Sequence, residues 1–99
     1  MYALRSKDAM PERYARAPSV EAAPMQGETI LFNSETNTFC VLNASAAVVW
    51  NEIETPQGVD TLAARIAEVF DGVTVEQAQR DVEQALKEFA SLSLVITQH

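Results

Sequence analysis

The side chains that most often carry chemistry are few and scattered in this sequence. There is one cysteine, Cys40, and one histidine, His99, which is the last residue. Cys40 lies in the middle of an apolar run, which predicts an inert buried thiol rather than a nucleophile. Without a second cysteine or an internal histidine no transition-metal site is expected, and three isolated glycines do not form a phosphate loop. The sequence therefore predicts no catalytic residue, no metal and no cofactor.

The charges are mostly negative and unevenly distributed. The net charge is −7, and residues 17–99 contain only three cations, Arg65, Arg80 and Lys87, against twelve acids. An acidic body is repelled by phosphate, which argues against binding to nucleic acid. No apolar run approaches the roughly 20 residues of a membrane span, and no signal-peptide core is visible. We therefore expect a soluble, cytoplasmic protein.

The first half of the chain predicts a mobile arm and then a small sheet. Residues 1–18 lack sustained periodicity and carry mixed charges, so we expect a mobile arm there and a single domain over residues 19–99. Val20–Ala23 suits a short edge strand, and Glu28–Phe32 suits a second strand after a turn. Thr38–Leu42 contains aromatic, β-branched and apolar residues, which predicts a third strand in an antiparallel hairpin with the second.

Three helices are predicted to follow the sheet. Asn43 ends the third strand and is placed to cap the first helix, which extends to about residue 54. The second helix starts near Val59, and Gly72 after it suits a left-handed cap. The third helix opens at Thr74 with a capping-box pattern. The order predicts an α+β fold, similar to a winged helix-turn-helix, with a three-stranded antiparallel sheet followed by three helices.

Apolar residues at helical spacing define the expected core. Residues that recur at i, i+3, i+4 and i+7 form the buried stripe of an amphipathic helix. On this criterion Trp50 belongs to the core rather than to a ligand pocket. The stripe of the first helix consists of Ala46, Val49, Trp50 and Ile53, and that of the third of Ala78, Val82, Ala85, Leu86 and Phe89.

The third strand is the first candidate binding surface. It consists of Thr38, Phe39, Cys40, Val41 and Leu42 and is apolar at nearly every position. If the strand lies at a sheet edge, its unpaired N–H and C=O groups can accept an extended peptide as an additional strand. The alternative is a central strand whose second face covers helices.

The outer face of the third helix is the second candidate surface. Arg80, Gln84 and Lys87 lie at i, i+4 and i+7, where a partner with acidic residues could dock. The alternative is a solvated face in which the pairs Glu76–Arg80 and Glu83–Lys87 each stabilise the helix by about 0.2–0.5 kcal/mol.

Three segments of the chain resemble one known family. Residues 41–50, VLNASAAVVW, resemble the LN-x-(S/T)-(A/G)-A-x-x-(I/V)-W junction of the PqqD-like family. That family contains the pyrroloquinoline quinone biosynthesis chaperone and related leader-peptide recognition domains for ribosomally made, modified peptides. Residues 59–71 and 77–95 are similar to its second and closing helices. The chain departs from the pattern at Ser93, where the family usually has glycine in a left-handed cap, and at Gly58, where a serine or threonine usually opens the helix.

The resemblance implies a non-catalytic adaptor. Family members hold the leader of a precursor peptide in a groove between the third strand and the third helix. They present its core to a separate enzyme, either a radical S-adenosylmethionine enzyme or a leader peptidase. The backbone of residues 38–42 would pair with the leader, and Phe39 or Val41, whichever faces outward, would meet its apolar side chains. The implied peptide-binding residues on the helix are Arg80, Glu83, Gln84 and Lys87, where the basic residues would meet acidic leader residues.

Two other functions remain compatible with the predicted elements. A winged-helix DNA-binding module would use the third helix for recognition, but Glu76, Asp81, Glu83 and Glu88 on that helix oppose phosphate contacts. A small scaffold subunit would bind an enzyme without having a peptide groove. A salt-sensitive shift of DNA would favour the first, and enzyme binding without leader binding would favour the second.

Overall fold

The computed structural model describes residues 12–98, and these residues form five strands and three helices. In chain order the elements are β1 (Arg13–Arg16), β2 (Val20–Met25), β3 (Glu28–Asn33), β4 (Thr38–Leu42), α1 (Ala44–Glu52), α2 (Val59–Val69), α3 (Val75–Ser91) and β5 (Val95–Gln98). The predicted α+β fold, with a three-stranded antiparallel sheet followed by three helices, is confirmed. Its likeness to a winged helix-turn-helix stays a prediction.

The main sheet has the order β2-β3-β4, with both pairings antiparallel. Leu31 of β3 lies opposite Cys40 of β4, and both side chains are buried, so this face of the sheet packs on the core. β2, which was predicted to end at Ala23, runs two residues further, through Pro24 to Met25. A proline is tolerated there because β2 is an edge strand, which leaves alternate backbone groups facing away from the ladder.

A second, two-stranded ribbon corrects the prediction of an arm over residues 1–18. Arg13–Arg16 forms β1 and pairs antiparallel with β5, near the end of the chain. The ribbon is fixed to the body by two hydrogen bonds between Tyr14 and Gln57, of 2.7 and 3.0 Å. Arg16 adds a third contact: its Nε donates to the carbonyl of Trp50 at 3.0 Å and its guanidinium lies 4.8 Å from the ring centre. The mobile arm predicted for residues 1–11 lies outside the described residues.

The helix caps and core stripes agree with the sequence. Asn43 Oδ1 accepts a hydrogen bond from the amide of Ala46 at 2.8 Å, and Thr74 Oγ1 accepts one from Gln77 at 3.1 Å. The predicted stripes of α1 and α3 are buried, and the Trp50 and Phe89 rings meet edge to face at 5.9 Å. Trp50 is therefore a core residue.

Within the described range, no helix combines the length and apolar character needed to cross a membrane.

A buried asparagine joins the sheet to the end of α3. The side chain of Asn33, at the end of β3, accepts hydrogen bonds from the Ser19 hydroxyl and the Glu35 amide, both at 2.9 Å. Its amide nitrogen donates to the carbonyl of Ser93 at 2.8 Å. Ser93 has a φ of +59°, so the left-handed backbone that the resemblance implies at this position is present here with serine. This connection fixes the β3–β4 hairpin relative to α3.

Candidate functional site

β4 is one of the two edge strands of the main sheet. In the order β2-β3-β4 this strand pairs only with β3, which leaves one row of its backbone groups without a strand partner in the described residues. The alternative prediction, that residues 38–42 form a central strand, is therefore wrong. An edge row of N–H and C=O groups is a template for pairing with another chain.

The two faces of β4 differ in burial. Phe39 and Val41 are 67% and 58% exposed, whereas Cys40 is only 7% exposed and Leu42 is also buried. Residues two apart in a strand share a face, so both Phe39 and Val41 point outward. The Phe39 ring packs against Phe32 of β3 with ring centres 4.7 Å apart. The outer face of this sheet edge is therefore apolar and uncovered.

The inner side of the β4 edge faces α3. At one end, the Thr38 hydroxyl donates to the Leu92 carbonyl after α3, at 3.5 Å. In the middle, the thiol of Cys40 is buried and lies within the electrostatic influence of Glu88; burial first, and then this negative charge, raises the pKa of the thiol. Cys40 is thus mostly protonated at neutral pH, which agrees with its predicted inert character.

Beyond the other end of β4, next to Leu42, a small cavity of about 80 Å³ lies between the start of α1 and α3, and no β4 residue lines it. We call the strip between the Thr38–Leu92 hydrogen bond and this cavity the groove between β4 and α3. The lining residues of the cavity are Asn43, Ser45, Ala46, Asp81, Gln84, Ala85 and Glu88. The four residues from α3 follow the spacing i, i+3, i+4 and i+7, so they form one flank of the helix. We call Asp81, Gln84 and Glu88 the groove flank.

Of the four helix residues predicted for the site, only one lines this cavity. Gln84 lies on the groove flank, but Glu83 and Lys87 line a different cavity of about 260 Å³ with Tyr14 and other residues. Neighbouring residues in a helix are turned by about 100° from each other, so Gln84 and Glu83 face different sides. Arg80 is exposed and lines neither cavity.

Two acidic residues that line this cavity, Asp81 and Glu88, were not among the residues predicted from the sequence. Asp81 lies four residues before the buried Ala85 and Glu88 three residues after it, so the helical spacing alone places all three on one side of α3. Within residues 12–98 the ion pairs found join Arg65 to Glu52 and to Glu68. The helix pairs Glu76–Arg80 and Glu83–Lys87, which belong to the alternative of a solvated face, are therefore not formed there, and neither Asp81 nor Glu88 takes part in an ion pair.

The chemistry available in this groove is recognition. Across residues 12–98 there is no group of three histidine, cysteine or acidic side chains that could hold a metal ion. The groove combines an open strand edge, two exposed apolar side chains and a polar helix flank. These features define a class of domain that accepts an extended peptide as an additional strand, in which the backbone gives affinity and alternate side chains give specificity.

Comparison with known proteins gives the family. The family described as coenzyme PQQ synthesis protein D (PqqD) matches residues 28–95, from β3 to the start of β5. The chain belongs to the PqqD family. The match includes both sides of the groove, β4 and α3. No curated protein sequence matches the chain.

Two solved structures share the fold. The first, described as TbiB1 in complex with the TbiA(beta) leader peptide, is 21% identical with a TM-score of 0.72, and the alignment covers 82% of this chain and 93% of that one. The second, described as lasso peptide synthetase B1 complexed with the leader peptide, is 14% identical with a TM-score of 0.72, over 84% of this chain and 96% of that one. Almost the whole length of each of these proteins is therefore represented here.

Proposed function

We propose that this protein is a non-catalytic adaptor that binds the leader of a precursor peptide by strand addition to β4. The observation that carries the proposal is the position of β4, which is an open sheet edge and runs alongside α3 from the Thr38–Leu92 hydrogen bond to the cavity at Asn43. Family membership supports it, as do two proteins of the same fold whose structures are described as leader-peptide complexes.

The proposed site is narrower than the one predicted from the sequence. The backbone of Thr38–Leu42 pairs with the leader, and Phe39 and Val41 contact its outward side chains. On α3 the contact comes from Gln84, together with Asp81 and Glu88, which line the same groove. Arg80, Glu83 and Lys87 are outside this proposal, since no groove contact supports them.

The second part of the proposed function is presentation. A leader held at β4 leaves the rest of the precursor free for a separate modifying enzyme, a radical S-adenosylmethionine enzyme or a leader peptidase. The Cys40 thiol is poorly suited to act as a nucleophile, because it is buried and its pKa is raised by burial and by Glu88. The alternative of DNA binding lacks comparable support, because α3 carries four acidic residues and only two basic ones, and acidic residues oppose contacts with phosphate.

An amide NMR titration tests the proposal. The ¹⁵N-labelled protein is titrated with synthetic leaders taken from small open reading frames beside its gene. We expect shifts concentrated in residues 38–42 and on the groove flank, and few shifts in Val20–Met25, the opposite sheet edge. Binding of a neighbouring enzyme without any response to these peptides would contradict leader binding and leave a scaffold role.

A further inference from the structure

We infer that the segment bound at β4 carries the three-residue pattern apolar–basic–apolar, with a lysine or arginine opposite Cys40. This inference rests on the proposed function and specifies which peptides the same groove selects. It combines two features of the groove: the uncovered apolar face around Phe39 and Val41, and the carboxylates of Asp81 and Glu88 on the opposite side of the strand edge.

The outer face of the sheet selects the two apolar residues. Phe39 lies opposite Phe32, and Val41 lies opposite Ile30, so two cross-strand apolar pairs end at the β4 edge. A fourth strand extends each pair by one side chain at about 5 Å. Residues opposite Phe39 and Val41 point outward with them, where aromatic or β-branched side chains cover apolar surface that is now exposed.

The inner face selects the basic residue between them. In an added strand, the residue opposite Cys40 points inward, toward α3, because successive side chains alternate between faces. Glu88 is the acid whose charge acts on Cys40, and it shares the groove flank with Asp81. Both carboxylates lack a cationic partner within residues 12–98. A lysine or arginine at this position therefore gains a charge-assisted hydrogen bond to the exposed carboxylate of Glu88.

The pattern does not depend on the direction of the peptide. Three consecutive residues opposite Phe39, Cys40 and Val41 face outward, inward and outward in either orientation, and apolar–basic–apolar reads the same both ways. The acidic character of residues 17–99 also attracts a cationic peptide at long range. The inferred peptide segment carries a positive charge, whereas the leader predicted from Arg80 and Lys87 carries negative charges.

Matched charge reversals on α3 separate the groove flank from the rest of the helix. Glu88→Lys changes the groove flank, and Glu83→Lys makes the same change on the flank that faces Tyr14. Both residues are exposed, so neither change is expected to unfold the protein. The probes are ten-residue serine- and threonine-rich peptides that differ only at the central triplet, Val-Lys-Val or Val-Glu-Val, with binding measured by fluorescence anisotropy and localised by amide shifts.

We expect the Val-Lys-Val peptide to bind about tenfold more tightly than the Val-Glu-Val peptide, a ratio that decreases with added salt. Glu88→Lys reverses the preference, whereas Glu83→Lys changes it less than about twofold. Equal binding of both peptides with shifts at residues 38–42 would overturn the inference and leave strand addition intact. Absence of shifts at residues 38–42 with these peptides and with the gene-neighbour leaders would overturn both.

Discussion

The main sheet has two edges, and they differ in almost every property that governs strand addition. The β2 edge contains Pro24, which has no N–H to donate, and Glu21, which places a charge on the outer face. The β4 edge contains no proline and no charge, and it lies beside α3. Natural sheets protect their edges with proline and charged residues. The comparison shows that β2 has this protection and that β4 lacks it, which is the arrangement expected of a strand kept open for a partner.

The two edges also differ in what surrounds them. Residues 21–25 of β2 are exposed on both faces of the strand, so an added strand there would gain little burial. At β4, the inner face is core and the outer face carries Phe39 and Val41. A strand added at β4 would gain apolar contacts on its outer face and polar contacts with the groove flank on its inner face.

Backbone methylation of the leader should produce the largest effect. Alternate amides of an added strand point toward β4, and the others point away. We expect N-methylation of every second residue in one phase to weaken binding by about 100-fold, because several hydrogen bonds are lost and the methyl groups obstruct pairing. Methylation in the other phase should change affinity only slightly. Calorimetric titration measures both series, and equal losses in the two would contradict strand addition.

Removal of the Asn33 side chain should destabilise the protein and loosen the β4 edge. Asn33→Ala removes three hydrogen bonds made by a buried side chain and leaves the carbonyl of Ser93 without this donor. We expect the free energy of unfolding to fall by about 2–3 kcal/mol, measured by urea denaturation. Ser34→Ala, which removes one long exposed hydrogen bond to Ser19, is the control and should cost under about 0.5 kcal/mol. A comparable loss of unfolding free energy in both variants would show that the hydrogen bonds of Asn33 do not fix the β3–β4 hairpin.

Truncation of one exposed apolar residue on each edge compares the two edges directly. Phe39 and Met25 are both largely exposed, at 67% and 55%. We expect Phe39→Ala to weaken leader binding about tenfold, because an aromatic cross-strand contact is lost. Met25→Ala should leave the affinity within about twofold of the original protein. Fluorescence anisotropy with a labelled leader measures both, and thermal melting checks that each variant is folded. A larger loss for the Met25 variant would assign the leader to β2.

The smallest effect concerns the turn after α3. Ser93 has a φ of +59°, which costs a non-glycine residue roughly 1 kcal/mol, although glycine makes the unfolded chain more flexible. We expect Ser93→Gly to stabilise the protein by about 0.5 kcal/mol without changing leader affinity. Gly72→Ala, at a φ of +81°, is the opposite change and should destabilise it by a similar or larger amount. Differential scanning calorimetry resolves both; destabilisation by Ser93→Gly would show that the serine is better suited to this turn.

Local patterns predicted the elements that have strong periodicity or caps. The stripe from Ala78 to Phe89 has a clear helical period, and Asn43 and Thr74 are good caps, so α1 and α3 were correctly placed. The strand β1 was missed because its four residues contain only one large apolar side chain, Tyr14, and their partner β5 lies about 80 residues later. Pairing at that distance is set by the tertiary fold.

The candidate site was predicted in part for a similar reason. The strand Thr38–Leu42 was recognised from its own residues, but its position at an edge depends on the order of the whole sheet. The groove flank was not recognised, because Lys87 and Glu88 are adjacent in sequence and yet lie on different sides of α3. Sequence periodicity shows which side of a helix is buried, whereas the packing of α3 beside β4 decides which neighbouring flank meets a ligand.

Amide hydrogen exchange of the protein with and without a leader shows whether the peptide pairs with the backbone of β4. Backbone pairing slows the exchange of the amides that it engages. If the leader adds to β4, alternate amides of Thr38–Leu42 that face away from β3 should become protected, while those of Val20–Met25 keep their exchange rates. Protection of β2 instead, or leader binding without any new protection in β4, would contradict strand addition at this edge.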